Sequence, residues 1–297
     1  MISVIITSHN RKEYLLDAIK SVLNQTLDKN YYEIIIVKNF EDSIIDKFIE
    51  ENNIKNILTD KISLSGKIVE ALKICNNDII SFLDDDDLFF NNKLEIVNKI
   101  FENKDIAYYH NSEQSIDDNN KELNFAYNSL DFNMSSISIR KEIINENTLS
   151  KVTHSIDTLM YLFSVNSNKK VYLDKKVLTY YRIHNSITHN FDDLNLYINF
   201  NIKSYNNVMN SYKTFYVLFD NKRIKDLLLH KIAFTYFMLR IFNNEKFELK
   251  KYIDFIRTKS YNNKKYEYKI MISSIFLKKY IIRKLYNNEV KKITNKI

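Results

Sequence analysis

Four consecutive aspartates, residues 84–87, carry the clearest chemical signal in this sequence. They directly follow the apolar run 79–83, which is typical of a strand buried on both faces of a sheet. Adjacent carboxylates repel one another, so a nearby cation favours their charged form. Mg²⁺ or Mn²⁺, bridging to substrate phosphates, fits that need best. We therefore expect a metal-assisted phosphate or diphosphate site, in preference to a solvated acidic turn that caps the helix beginning at Lys93.

Two other kinds of acidic site fit this pattern less well. An EF-hand loop needs spaced acids, a central glycine and a terminal glutamate, whereas these acids are contiguous and lack a glycine. A phosphatase of the haloacid dehalogenase type also places Asp-x-Asp after a strand, but usually after the first strand and with Thr or Val next. Here the strand is the fourth and Asp87 stands in that position, so the phosphatase is the weaker alternative.

The composition excludes several other ways of binding a nucleotide. The 297 residues include one glycine, Gly66, one cysteine, Cys75, and no proline. The dinucleotide fingerprint and the P-loop both need more than one glycine, and a lone cysteine excludes a disulfide framework. The start of the chain is typical of a buried strand and differs from a signal peptide, and no uncharged apolar run approaches the ~18 residues that span a bilayer. These features predict a cytoplasmic protein.

The elements that would position the aspartates alternate along the first hundred residues. Apolar runs predict strands, and apolar residues at helical spacing predict helices between them. This alternation indicates a parallel α/β sheet, in which ligands bind at the carboxyl ends of the strands. The predicted strands are 2–7, 33–37, 54–58 and 79–83, and the predicted helices are 11–25, 42–51, 66–76 and 93–101.

The pattern changes along the rest of the chain. Strands are predicted at 106–110, 135–140, 170–173 and 177–183, a helix at 155–163, and only helices beyond about residue 193. Residues 195–297 contain 22 basic and 7 acidic side chains, a balance of +15, while residues 1–194 contain 22 and 30, a balance of −8. Such asymmetry is typical of a catalytic or binding body with a basic appendage.

Several short stretches, taken together and in order, resemble the family 2 glycosyltransferases with the GT-A fold. The resemblance covers about residues 2–189 and implies an α/β fold with a mixed, mainly parallel sheet flanked by helices. Together with the charge shift, it predicts a catalytic domain, residues 1–193, and a basic, aromatic-rich helical region, residues 194–297, which the resemblance does not cover. The stretches are Thr7-Ser-His-Asn-Arg11, Ser21-Val-Leu-Asn-Gln-Thr26, Ile80-Ser-Phe-Leu-Asp-Asp-Asp-Asp87, Lys93-Leu94, Tyr172-Leu-Asp174 and Tyr181-Arg-Ile-His184.

The resemblance implies an enzyme that moves a sugar, with inversion, from a nucleoside diphosphate sugar to an acceptor hydroxyl. The leaving diphosphate needs a cation, so Mg²⁺ or Mn²⁺ is the implied cofactor. A glycan, lipid-linked or protein acceptor is implied, and nucleic acid is not a predicted partner. The resemblance assigns the metal to Asp86, the ribose or a water-mediated metal contact to Asp84 and Asp85, the base to Thr7, His9 and Arg11, and the diphosphate or metal to Arg182 and His184.

The general base is predicted within residues 152–157. Inverting transfer needs one group that deprotonates the acceptor hydroxyl. The family draws it from an acidic pair at a helix start, which His154-Ser155 replaces here. Asp157 is the first candidate and His154 the alternative. An equally good interpretation of Asp157 is an acid that favours the helix dipole.

Two loops depart from the family's pattern. After the second strand the family has Asp-Asp-Gly-Ser, whereas this chain has Lys38-Asn39-Phe40-Glu41. Asn39 is a candidate partner for a uracil edge. The family's Ala-Arg-Asn on the third helix is also missing, and Lys67 is our candidate for the missing positive charge at the phosphates. Gly66 falls near the family's donor site and is predicted to contact the donor as well.

Two alternatives remain open beside the transferase. The altered loop and the altered base element also fit a nucleotide-sugar binder that lacks turnover, and the phosphatase is less favoured. For the basic C-terminal region, two interpretations are equally good. One is attraction to anionic lipid, at the inner membrane face, or to a phosphorylated acceptor; the other is simple solvation of aromatic-rich helices.

Overall fold

The computed structural model describes residues 1–127, 132–183, 193–258 and 264–294. The chain divides into two compact units, Met1–Arg182 and Ile183–Ile297. The division predicted at residue 193 stays a prediction. The strands are β1 Ile2–Thr7, β2 Tyr32–Lys38, β3 Lys55–Leu58, β4 Ile79–Asp84, β5 Leu88–Phe89, β6 Ile106–Ile116, β7 Glu122–Tyr127, β8 Ile137–Arg140 and β9 Lys170–Arg182. The helices of the first unit are α1 Leu15–Leu23, α2 Ser43–Glu51, α3 Leu64–Ile74, α4 Lys93–Ile100, α5 Glu146–Leu149 and α6 Ile156–Asn166.

The strands of the first unit form one mixed sheet in the order β3-β2-β1-β4-β8-β6-β9-β5, with β7 paired to β6. Strands β3, β2, β1 and β4 run parallel, and so do β6 and β9. Strand β8 runs antiparallel to both β4 and β6, and it joins the two parallel groups. This architecture confirms the predicted fold class.

The structure corrects the predicted elements in its second half. Residues 170–182 form one strand instead of two, because shifts in register against β6 accommodate the polar residues near its middle. Strand β6 continues to Ile116, six residues beyond its predicted end, and its polar residues other than the half-buried Gln114 are buried. The short strands β5 and β7 were not predicted.

Apolar runs and capping residues explain the first half of the sheet. Strand β1 is buried along its whole length, because helices cover both of its faces. Asp42 caps α2 by accepting from the N–H groups of Ile44 and Ile45, and the Ser63 hydroxyl caps α3 by accepting from the N–H of Gly66. These caps fix where the chain enters each helix beside the carboxyl end of the sheet.

Asparagine supplies most of the left-handed turns in the described residues. The one glycine has a negative φ and lies inside α3, so it makes no such turn. Asparagine tolerates the left-handed region better than most residues because its short amide can bond locally. The residues with positive φ are Asn10, Asn53, Asn120, Asn133, Ser155, Asn168 and Asn244.

The second unit is helical in its described residues. Its helices are α7 Leu194–Leu218, α8 Lys222–Asn243, α9 Leu249–Arg257, α10 Lys264–Phe276 and α11 Lys278–Thr294. Phe237 of α8 packs against Tyr252 and Phe255 of α9, with ring centroids 4.7 and 5.2 Å away. Across the described ranges of the chain, no helix combines the length and the apolar character that crossing a bilayer requires.

Candidate functional site

Three parallel strands bring the predicted donor-binding residues to one edge of the sheet. Thr7 at the end of β1 pairs with Val37 of β2 on one side and with Asp84 of β4 on the other. The loop after β1 therefore lies between the loop after β2 and the acidic residues after β4. This is the edge at which open α/β sheets bind ligands.

Arg11 connects the loop after β1 to the acidic loop, which we define as residues 84–87. Its guanidinium donates from Nε to Oδ1 of Asp85 over 2.9 Å, and its Nη1 lies 2.7 Å from Oδ2 of Asp86. The Ser8 hydroxyl donates to the other oxygen of Asp85 over 2.5 Å. Asp85 is buried, whereas the side chain of Asp86 keeps 16% of its surface exposed. Asp86 is thus the more accessible of these two carboxylates.

The charges of the acidic loop are only partly compensated. Burial raises the pKa of Asp84 well above its usual range, and the neighbouring carboxylates of Asp87, Asp86 and Asp85 raise it further. Burial also raises the pKa of Asp85, although the hydrogen bond from Arg11 opposes that rise. One guanidinium therefore does not neutralise the loop, and a further cation would stabilise its charged form.

Two side-chain pairs connect the loops around this edge. Lys67 Nζ lies 3.0 Å from His9 Nδ1, which places α3 beside the loop after β1. Burial lowers the pKa of both groups, and the charge of Lys67 adds to the effect on His9. Asn39 accepts from the backbone N–H of Asn10 over 2.8 Å and donates to its side-chain oxygen over 2.7 Å. The predicted contacts Lys67 and Asn39 thus lie at the same edge as His9.

Gly66 lies in the first turn of α3, and its N–H bonds to Ser63. A Cβ at this position would stand 3.0 Å from the Ser63 hydroxyl oxygen and 3.2 Å from Cβ of Lys61. Lack of a side chain at this position therefore allows the close capping contact. The donor contact that the sequence predicts for Gly66 stays a prediction.

Arg182 at the end of β9 holds the acidic loop from its other side. Its guanidinium donates to the backbone oxygens of Asp86, Asp117 and Asp118 and to the side chain of Asn120, over 2.6–3.2 Å. Its backbone N–H donates to Oδ1 of Asp87 over 2.9 Å. The side chain is buried and stacks over the ring of Tyr14 at 4.4 Å. These contacts make Arg182 a positioning residue for the loop, and the diphosphate contact predicted for it stays untested.

A buried polar cluster lies behind the acidic loop. Lys93 Nζ donates to the backbone oxygen of Ser135 and, over 3.0 Å, to the hydroxyl of Thr179. The Ser135 hydroxyl in turn accepts from the backbone N–H of Asp84 over 2.9 Å. Burial lowers the pKa of Lys93 well below its usual range and raises the pKa of Glu113, which accepts from Ser136, to about 8. This cluster connects α4, β9 and the start of β8 to the residue that begins the acidic loop.

The predicted base element enters α6 in a strained conformation. Ser155, which precedes the helix, has φ of 58°, in the left-handed region that costs ~1–2 kcal/mol in a residue with a side chain. His154 is exposed and bonds to the hydroxyl of Thr153 over 2.8 Å, while Asp157 is half-buried in the first turn of α6. The Val152 oxygen accepts from the hydroxyl of Ser65 in α3. The element is therefore tied to the helix that also carries Lys67.

The carboxylates of the acidic loop fit a magnesium or manganese ion that takes few ligands from the protein. Within the described residues no three His, Cys, Asp or Glu side chains are arranged to hold a metal. Mg²⁺ commonly takes one or two carboxylates and completes its shell with phosphate oxygens and water. The accessible carboxylate of Asp86 and the incompletely compensated Asp84 meet that need. The predicted ligand His184 lies outside the described residues.

The mixed sheet, with its acidic loop after the fourth strand, defines a GT-A-type nucleotide-diphospho-sugar transferase fold. A model of the family described as glycosyl transferase family 2 matches residues 3–171. The match covers more than half of the chain, which belongs to this family.

Relatives and solved structures are consistent with that membership. Two curated Rickettsia proteins named uncharacterized glycosyltransferases, from Rickettsia bellii and Rickettsia conorii, are each 32% identical over 126 and 132 residues, or 41% and 43% of this chain. The chain covers only 18% and 22% of their lengths. The crystal structure of S. aureus TarS 1–349 in complex with UDP-GlcNAc matches with a TM-score of 0.57 and 13% identity, covering 86% of this chain and 78% of that one. At this identity the match supports the fold alone.

Sequence reasoning missed the residues that hold the site in place. No supporting role was predicted for Ser8, Lys93, Ser135 or Glu113, although each contacts the acidic loop or the cluster behind it. Ser8 and Lys93 lie in stretches that resemble the family, which was the signal available for them. The other residues are polar side chains whose partners are distant in sequence.

Proposed function

We propose that the chain is an inverting, metal-dependent glycosyltransferase that uses a nucleoside diphosphate sugar. The observation that carries the proposal is the accessible carboxylate of Asp86 in an acidic loop whose shape Arg11 and Arg182 fix. TarS, whose structure has the same fold, was crystallised with UDP-GlcNAc. This supports a donor of the same chemical class here.

The proposed roles follow from position. Asp86 and Asp84 would hold Mg²⁺ or Mn²⁺, which when bound would neutralise charge on the leaving diphosphate. Arg11 and Ser8 hold Asp85, so Asp85 keeps the loop in shape, while Asp86, which Arg11 also contacts, offers the more accessible carboxylate. Thr7, His9 and Asn39 lie at the edge proposed for the nucleoside, and Lys67 adds positive charge beside His9.

The proposed transfer is a single displacement. Asp157, or His154 in its place, accepts the proton of the acceptor hydroxyl. The acceptor oxygen then forms a bond to the anomeric carbon while the bond to the diphosphate oxygen breaks, and the nucleoside diphosphate leaves with that electron pair. One displacement inverts the anomeric centre. A general base contributes about 10²–10⁴-fold to such a step.

A donor-binding protein without turnover is the second candidate. The ion pairs from Arg11 to Asp85 and Asp86 favour it, because a side chain of the protein already supplies positive charge in the loop. The acceptor, a glycan, lipid-linked or protein hydroxyl, is also a proposal, as is the cytoplasmic location. We propose that the second unit brings the enzyme to a membrane surface, as developed below.

A thermal-shift screen of nucleoside diphosphate sugars, with and without Mn²⁺, tests donor binding. UDP-GlcNAc is the first probe. We expect Mn²⁺-dependent stabilisation by the true donor, loss of that stabilisation in Asp86→Asn, and at least about a 100-fold fall in transfer. Asp60→Asn is the matched control, because the Asp60 side chain is 90% exposed.

The outcomes separate the candidates. If Asp86→Asn keeps full transfer and Mn²⁺-dependent donor binding, the metal site is wrongly assigned. If donors bind but no acceptor is glycosylated, the chain is a donor-binding protein. If Asp157→Asn slows transfer without weakening donor binding while His154→Gln has no effect, Asp157 is the base, and the reverse result identifies His154.

A further inference from the structure

One face of the second unit is both apolar and basic. On α10 the exposed residues Lys265, Tyr268, Lys269, Ile272 and Phe276 recur at spacings of one, three and four, which places them on one side of the helix. The opposite side of α10, including Ile270 and Ser274, is buried in the unit. The exposed stripe therefore does not serve the helix's own packing.

Further exposed apolar side chains follow at the junction of α10 and α11. Phe276, Leu277 and Tyr280 are 77%, 51% and 60% exposed, and Ile272 is 52% exposed. Isolated exposed apolar residues are ordinary, but a contiguous group marks an interaction surface. We define the α10–α11 face by its exposed side chains Lys265, Tyr268, Lys269, Ile272, Ile275, Phe276, Leu277, Lys279, Tyr280, Arg283 and Lys284.

Between the acids Asp254 and Glu289, the exposed charge along this stretch of the chain has one sign. Between residues 255 and 288 the sequence contains nine lysines and arginines and one acid, Glu267. Glu267 is buried and lies 3.2 Å from the ring of His230, so it adds no charge to the surface. The α10–α11 face thus combines apolar side chains with positive charge and has no exposed acid.

We propose that the α10–α11 face binds the surface of an anionic lipid bilayer. Helices that lie in the membrane interface place aromatic and aliphatic side chains among the acyl chains and lysines or arginines at the headgroups. Lysine and arginine stems are long enough to keep their charge at the headgroup level while the apolar side chains enter. A contact between two copies of the chain would bring these positive charges together, whereas an anionic lipid surface attracts them. The charge therefore favours anionic lipid over a second copy of the chain.

Vesicle co-sedimentation of the full chain tests the proposal. One set of vesicles contains phosphatidylcholine alone, and the other contains phosphatidylcholine mixed with phosphatidylglycerol. We expect binding to the mixed vesicles at least about tenfold stronger, and weaker binding at high salt. The double variants Ile272→Ser/Phe276→Ser and Lys269→Glu/Lys279→Glu should each lose about tenfold or more.

A matched control lies elsewhere in the same unit. Val217 and Lys213 on α7 are also exposed, Val217 by 79%, so Val217→Ser/Lys213→Glu makes a similar chemical change away from the face. We expect this control to bind like the unaltered chain. Circular dichroism checks the fold of every variant, and donor stabilisation should not change, which keeps this test independent of the transferase proposal.

Three results would overturn the proposal. Equal binding to both kinds of vesicle would remove the role of anionic lipid. Full vesicle binding by both face variants would place the contact elsewhere. Sedimentation showing that the unaltered chain self-associates, while Ile272→Ser/Phe276→Ser is monomeric and still binds vesicles, would make the face a contact between copies.

Discussion

The polar cluster behind the acidic loop of the first unit contrasts with the aromatic interior of the second unit, although the second unit also buries His230, Arg240 and Glu267. Behind the acidic loop, the first unit buries Lys93, Glu113 and Arg182, whose groups bond mainly to backbone and hydroxyl oxygens. The second unit is filled mainly by aromatic and aliphatic side chains, such as Phe237 and Phe255. Buried polar groups fix a particular shape at a cost in stability, whereas apolar packing mainly adds stability. The first unit is therefore built around a loop that must keep its geometry.

The largest expected effect is in the aromatic interior of the second unit. Phe237→Ala removes a fully buried ring and should lower the free energy of unfolding by about 3–5 kcal/mol. Urea denaturation followed by circular dichroism measures the change, with the exposed Val217→Ala as the control at under about 0.5 kcal/mol. A loss below about 1 kcal/mol would show that the interior is loosely packed and would remove the contrast between the units.

The next effect concerns Arg182 in the first unit. Arg182→Ala removes the guanidinium that donates to the backbone oxygens of Asp86, Asp117 and Asp118, so we expect a loss of about 2–4 kcal/mol. Donor-induced thermal stabilisation should weaken as well, because the loop loses its support. Arg182→Lys, which keeps the charge but loses the planar fork, should recover little of either. Full recovery by lysine would show that only charge matters here.

Glu113 gives a smaller effect that depends on pH. Because burial raises its pKa to about 8, the folded protein keeps a proton that the unfolded chain loses above its ordinary pKa. As the pH rises, keeping that proton lowers the free energy of unfolding. The loss reaches its full size above the pKa that Glu113 has in the folded protein. Glu113→Gln has no proton to lose, so it should come close to the unaltered chain near pH 5 and exceed its stability by a few kcal/mol near pH 8.

Thermal unfolding across that pH range measures the effect. The charged groups that face Glu113 are Lys93 and Asp87, and Ser136 donates to it. If Lys93 and Glu113 instead form a charged pair, Glu113→Gln will be the less stable protein at neutral pH. That result would show that Lys93 and Glu113 are charged in the folded protein and not neutral.

The smallest effect is expected at the buried polar pair of the second unit. His230 stacks on Phe255 at 4.4 Å and lies 3.2 Å from Glu267. Glu267→Gln keeps the size of the side chain and a hydrogen-bond acceptor, so its stability should change by less than about 1 kcal/mol. Chemical denaturation tests this. A change as large as that of Arg182→Ala would mean that the second unit also depends on buried charge.

The first half of the fold was predictable because its signals are local. Buried parallel strands appear in sequence as continuous apolar runs, and their carboxyl ends meet at one edge of the sheet. The proximity of Arg11 to Asp85 and Asp86 follows from that rule, once Thr7 and Asp84 end adjacent strands.

The support behind the loop was not predictable, because its partners are distant in sequence. Residues 110–115 of β6 are His-Asn-Ser-Glu-Gln-Ser, which indicates a loop by composition. The structure buries most of this stretch in the sheet, where Ser136 and Thr179 bond to Glu113 and Asn111. Tertiary contacts therefore override the local pattern at the place where the site needs its support.

Asparagine in place of glycine at the turns gives those turns a chemical function. The backbone of Asn10 makes a left-handed turn, with φ of 55°. The side-chain oxygen of Asn10 also accepts a hydrogen bond from Asn39 in the neighbouring loop. A glycine would allow the turn and lose that link. The scarcity of glycine in this chain therefore has a consequence in the loop after β1: two hydrogen bonds, one from the backbone and one to the side chain of Asn10, connect this bend to the neighbouring loop, where a glycine would keep only the first.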